Sequence, residues 1–80
     1  MPYPNEHAAR MVNPDNFESF IRNHPNAWPE GLDIIFGVRK DGSRSVQAFR
    51  FRTDQWTVER ARRWLARNGY DPILFEPATG

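Results

Sequence analysis

The sequence predicts a small α+β domain in the order α-β-β-α-β, a three-stranded sheet packed with two helices. Three observations carry this expectation. An Asp-Gly pair at residues 41–42 lies between two β-branched and aromatic runs. A helical apolar period runs from Thr57 to Gly69, and a shorter one follows Asn13-Pro14.

Residues 1–13 have no clear period and include Pro2 and Pro4, so the chain is expected to begin as an extended N-terminal arm. Residues 14–24 read as a helix. Asn13 is placed to cap it, Pro14 suits its first position, and Asp15 suits the positive end of the helix dipole. Phe17, Phe20 and Ile21 then fall on one stripe, and Pro25 ends the helix at or before His24. Residues 25–31, PNAWPEG, form a turn-rich loop anchored by Trp28.

LDIIFGVRK (32–40) and SRSVQAFRFR (43–52) are expected to pair through a two-residue type I′ turn at Asp41-Gly42, a hairpin spanning 32–52. Pairing Lys40 with Ser43 sets Leu32 opposite Phe51, Ile34 opposite Phe49 and Phe36 opposite Gln47, which collects the apolar residues on one face. On the other face Asp33 meets Arg50, Ile35 meets Ala48 and Gly37 meets Val46. The second helix is expected at 57–68, capped by Thr57, with Glu59 in its first turn and Gly69 as its left-handed terminator. Val58, Ala61, Trp64 and Leu65 make its apolar face. DPILFEP closes with a short strand at 72–76. A right-handed crossover would lay this strand parallel to the second, giving sheet order 3-1-2.

Eighty residues are expected to form a single domain, 1–80, with a thin stability margin. There is no Cys, which removes disulfides and thiolate zinc sites and suits a reducing compartment. No apolar run reaches the roughly 18 residues of a membrane span. The opening lacks the basic-then-apolar signature of a signal peptide. The host bacterial cytoplasm is the expected location.

Net charge is +1, but it is unevenly placed. Residues 1–33 carry five acids against Arg10 and Arg22, whereas residues 44–67 carry seven Arg against Asp54 and Glu59. Ten of the eleven basic residues are Arg. Arg favours bidentate, partly desolvated recognition, although a GC-rich genome raises Arg usage equally well.

No catalytic constellation is visible. His7 and His24 are 17 residues apart and lie in no metal-ligand spacing, and the serines sit in no nucleophile elbow. The glycines build no phosphate loop. The chain is expected to be no enzyme and to hold no metal or cofactor. Tyr3, Asn5, Glu6, His7 and Arg10 are chemically capable residues at a terminus that would otherwise fray. The expected role is a clamp tying the arm to the body, with direct binding as the alternative. Arg60, Arg62, Arg63 and Arg67 on the second helix, with Arg44 and Arg52 of the hairpin, make either a solvated outer face or a partner-binding face. The isoelectric point of about 8.3 is low for a nucleic-acid module, and no base-stacking motif accompanies the arginines. Protein binding is the preferred reading, with no membrane and no specific nucleic acid as partner, and a monomer is expected.

The stretches PYPNEHAARMVNPDNF, SVQAFRFRTDQWTVERARRWL and FEP together resemble a small module of tailed-phage proteins found beside prohead proteases and other head-morphogenesis proteins. The pattern falls on Tyr3, Pro4, Asn5, Glu6, His7, Ala9 and Arg10, then Pro14 and Phe17, then Val46, Gln47, Arg50 and Phe51. It closes on Trp56, Thr57, Val58, Glu59, Ala61, Trp64 and Leu65. The resemblance covers nearly the whole chain and implies no activity, because the protease's catalytic residues would lie outside this module. A stand-alone copy also resembles the small type I-C anti-CRISPR proteins of proteobacterial mobile elements. That implies a stoichiometric, phage-encoded inhibitor serving evasion of host defence. It would bind a CRISPR interference complex, the type I-C Cascade, and block its engagement of target DNA. A head-assembly accessory module docking on a phage structural protein, and a small Arg-dependent nucleic-acid binder, are the alternatives.

Overall fold

A computed structural model describes residues 3–79, so residues 1 and 2 of the expected arm and residue 80 lie outside it. The elements are β1 (Glu6–Arg10), a 3-10 turn (Pro14–Asn16), β2 (Ser19–Asn23), β3 (Leu32–Val38), β4 (Arg44–Arg52), α1 (Val58–Arg67) and β5 (Leu74–Glu76). The five strands form one antiparallel sheet in the order β2-β3-β4-β1-β5, with α1 on one face. The expected three-stranded, two-helix architecture is therefore wrong in strand count, helix count and order.

The first error is the helix expected at 14–24. Its cap is real, since the Asn13 side chain accepts the Asp15 N–H at 2.9 Å, but the helical turn ends after three residues. Phe17 is already extended (φ −123°, ψ 150°), and Ser19–Asn23 pairs with β3 from Ser19↔Val38 to Asn23↔Ile34. A segment this short is marginal as an isolated helix, so the backbone bonds offered by the edge of β3 decide its conformation. Phe17 leaves the expected stripe to lie on Gly37, where a Cβ would come within 2.2 Å of its ring. The missing side chain of Gly37 leaves the space that ring fills.

The second error is the arm. EHAAR is an interior strand, paired with β4 from Glu6↔Arg52 to Arg10↔Ala48 and with β5 from Ala8↔Glu76 to Arg10↔Leu74. It contains no β-branched residue, so propensity gave no signal. Ala8 and Ala9 are both buried because this strand is covered on either face. As expected of a right-handed crossover, β5 runs in the direction of β4, but β1 sits between them.

The hairpin forms with two irregularities that cancel. Asp41 does not adopt positive φ, whereas Gly42 does (+88°). The Gly42 N–H bonds the Arg39 carbonyl, and the Arg39 N–H bonds the Ser43 carbonyl, both at 2.9 Å. This is a three-residue loop with glycine at the left-handed position, not the expected two-residue turn. The Ser43 N–H and hydroxyl both donate to Asp41 Oδ1, at 2.9 and 2.7 Å, and hold that carboxyl below its ordinary pKa. The longer loop shifts the register by one, giving Phe36↔Val46 and Gly37↔Ser45 in place of the expected partners. A bulge at Gln47 shifts it back, so Leu32↔Phe51, Asp33↔Arg50, Ile34↔Phe49 and Ile35↔Ala48 stand as expected. The bulged Gln47 is used: its carbonyl accepts the Met11 N–H at 2.8 Å and its side-chain amide donates to the Val12 carbonyl at 3.0 Å.

The second helix forms as the sequence indicates. Thr57 Oγ1 accepts the Arg60 N–H at 3.1 Å, and Gly69 at φ +77° ends it. Its Ala61 and Leu65 are buried on Leu32, Ile34, Phe49 and Phe51, together with Ala9 and Trp56. Burial of each large side chain in this set contributes about 1.5–3 kcal/mol. Trp64 sits among aromatic rings, with centroids 5.3 Å from Trp28, 5.7 Å from Phe49 and 5.9 Å from Tyr70.

Candidate functional site: an arginine–tryptophan groove on the helix

Thr57 starts α1 at a fixed point, and helical spacing then sets Arg60, Trp64 and Arg67 on one line with Arg63 beside them. Between α1 and the 25–31 loop these residues line a shallow groove of about 250 Å³ with Pro29 and the edge of Trp56. Trp56 is itself locked in the core, its indole N–H donating to the Glu30 carbonyl at 2.8 Å. The Arg60 guanidinium lies 4.1 Å over the Trp56 ring and donates to the Gln55 carbonyl at 2.5 Å. Arg63 and Arg67 are exposed, and among the described residues no Asp or Glu pairs with either. The groove therefore presents three cations on an aromatic floor.

The six arginines expected to bind a partner do not form one surface. Arg62 turns toward the other flank of α1 and stacks 4.4 Å over Phe75. Arg52 lies on the sheet face away from α1, beside Tyr3 and Glu6, and pairs with Asp54 at 3.0 Å. Arg44 is at the opposite end of β4, next to the hairpin loop. The groove residues that the sequence reading did not assign to binding are Trp56, Trp64 and Pro29. Trp64 was legible, because it falls four residues after Arg60 and three before Arg67.

The N-terminal residues reach into three parts of the molecule. Tyr3 takes a 2.7 Å hydrogen bond from Arg50 to its hydroxyl, and its ring lies 3.9 Å under that guanidinium. The Tyr3 carbonyl accepts the Thr79 N–H at 3.0 Å, and the Asn5 carbonyl accepts the Thr53 N–H at 3.0 Å. Glu6 pairs with Arg22 and with Arg50, the latter at 3.4 Å. Arg22 also holds Asp33 at 2.8 Å. Its pKa is raised above the ordinary value, first by the hydrogen bond to Glu6, against a desolvation cost, and then by Asp33. Asp33 is thus engaged by Arg22 and by His24 at 3.1 Å, although Arg50 is its register partner. Arg10 lies 3.2 Å from Glu76.

His7 is buried between the two ends of the chain. Its Nδ1 accepts the Ala78 N–H at 2.9 Å, so Nε2 carries the proton and donates to the Trp56 carbonyl at 3.1 Å. Both ring nitrogens are therefore occupied by backbone, and neither is offered to a ligand.

The face of the sheet away from α1 holds a second hollow of about 280 Å³. Its floor is Ala8, Ile35 and Ala48, its lip is the half-exposed Phe20, and Arg10 and Arg50 stand at its rim. Those two guanidiniums are already paired with Glu76 and Glu6. Their charge is spent inside the molecule, which distinguishes this hollow from the groove on α1. Among the described residues, no helix is long and apolar enough to cross a membrane. Compared with protein-family models, curated proteins and solved structures, the chain matches none of them.

Proposed function

We propose that this chain is a non-enzymatic inhibitor that acts by binding another protein, docking through the groove on α1. One observation carries the reading: Arg60, Arg63 and Arg67 surround Trp64, and among the described residues none of the three has a carboxylate partner. Arg and Trp are over-represented among residues that dominate binding energy, and a guanidinium held over an aromatic ring gives up less conformational freedom on docking. An acidic surface carrying an apolar side chain is the chemistry that fits. In keeping with the resemblance to small type I-C anti-CRISPR proteins, the target is the type I-C Cascade, and the outcome is a complex that no longer engages target DNA.

The test mixes purified type I-C Cascade with this protein and follows complex formation and duplex binding. The expected result is a stable complex that fails to bind its target, with both effects lost in the double variant Arg60→Glu/Arg63→Glu. A circular-dichroism melt of that variant should stay cooperative and fall only slightly below the parent, because Arg63 is exposed and Arg60 gives up one exposed contact over Trp56 and one hydrogen bond to the Gln55 carbonyl. A Cascade that binds target DNA unhindered would overturn the assignment. Capture of a phage head protein, or tight salt-sensitive binding to bare duplex, would install one of the two alternative functions instead.

A further inference from the structure

The two edges of the sheet are guarded very differently. At one edge, β5 is only three residues long and is bracketed by Pro72 and Pro77, which limits what can pair with it. At the other, β2 is five residues long, and every residue from Glu18 to His24 is exposed. It holds no Pro, no Lys and no bulge, the usual devices that blunt an edge. Its one charged side chain, Arg22, is drawn over the sheet by Glu6 and Asp33 instead of standing beyond the edge. Phe20 and Ile21, its two large apolar side chains, are 48% and 38% exposed.

The free backbone groups of β2 can be identified. The Gly31 carbonyl and the Arg39 N–H both bond toward β4, so the odd residues of β3 face β4 and its even residues face β2. Ser19, Ile21 and Asn23 pair with those even residues. The N–H and C=O groups of Phe20 and Arg22 therefore point outward and want a strand.

We infer that this strand is β2 of a second copy of the chain, paired antiparallel about a two-fold axis at Ile21. The sequence is self-complementary in that register. Ile21 meets its own symmetry mate, and Phe20 meets Arg22 of the other copy twice, each time as a ring against the aliphatic stem of a side chain whose guanidinium stays with Glu6 and Asp33. Ser19 meets Asn23, and Glu18 meets His24, an acid beside an imidazole. Sliding the pairing by one residue would set Phe20 or Arg22, whose backbone groups point outward, opposite a residue whose groups bond β3, and sliding it by two would set Ile21 opposite Ser19 or Asn23. The pairing would join two five-stranded sheets into one. Edge pairing over so few residues buries less surface than a standard stable interface, so the association belongs in the micromolar-to-millimolar range. This revises the expected monomer and is independent of the groove on α1.

Sedimentation velocity over a micromolar-to-millimolar series should show reversible growth from one chain to two. Ile21→Lys places like charges directly opposite each other across the axis and should weaken association about tenfold or more. Leu74→Lys, on the guarded edge, should leave it unchanged. In a sample mixing two isotope labels, magnetisation transfer should connect Ile21 to Ile21 and Ser19 to Asn23 between chains. That readout requires no variant, so a failure of Ile21→Lys to fold would not blunt the test. A single-chain mass up to millimolar concentration would overturn the proposal. So would a dimer indifferent to Ile21→Lys, or interchain contacts that avoid β2.

Discussion

His7 shows how much one side chain can join. It accepts from the Ala78 N–H, donates to the Trp56 carbonyl and stacks 6.2 Å from Phe75, linking β1 to the start of α1 and to the C-terminal tail. Replacing it by Ala leaves a buried carbonyl and a part-buried N–H without partners. His7→Ala should therefore lower stability by roughly 2–3 kcal/mol, read as a shifted urea midpoint with an unchanged slope. An unmoved midpoint would mean that water replaces the imidazole at no cost. Glu6 and Asp33 act similarly on the opposite face, each neutralised by arginine, so their position in the sequence as acids among few bases hid a pairing made across the sheet.

Among the elements, β2 is one of two that local reasoning assigns wrongly, and its partner is legible in Gly37. The glycine leaves room for Phe17, whose ring also meets Arg39 at 4.9 Å and Phe20 at 6.1 Å. Gly37→Ala would drive a methyl into that ring and should cost roughly 1–3 kcal/mol, as overpacking does. In a double-mutant cycle with Phe17→Ala most of that cost should vanish, because the clash vanishes with the ring. If the two losses simply add, Phe17 is not what occupies the space. The hairpin teaches a complementary point. Its apolar pairs near Leu32 and Phe51 follow from alternation alone. The loop type and the Gln47 bulge do not, because each shifts the register by one and only their sum preserves the core face.

On the scale of the whole molecule, β1 holds the sheet together. It lies between β4 and β5, so removing residues 1–10 would leave β5 without a neighbour and expose one side of β4. The truncated chain should lose its cooperative thermal transition and expand, checked by a circular-dichroism melt and a diffusion measurement. A merely lowered melting temperature would instead describe a dispensable arm. Local signals in the chain suffice for the cap and terminator of α1, the alternation of β3 and β4, and the core residues Leu32, Ile34, Phe49, Phe51, Ala61 and Leu65. The clustering of Arg60, Arg63 and Arg67 belongs to that set too, because helical spacing is a property of the chain. Only the tertiary structure decided that EHAAR and SFIRN are strands, since neither can form one without a neighbour to supply its hydrogen bonds. It also separated Arg44 and Arg52 from the helix arginines, because Arg52 falls on the sheet face away from α1 and Arg44 at the end of β4 beside the hairpin loop.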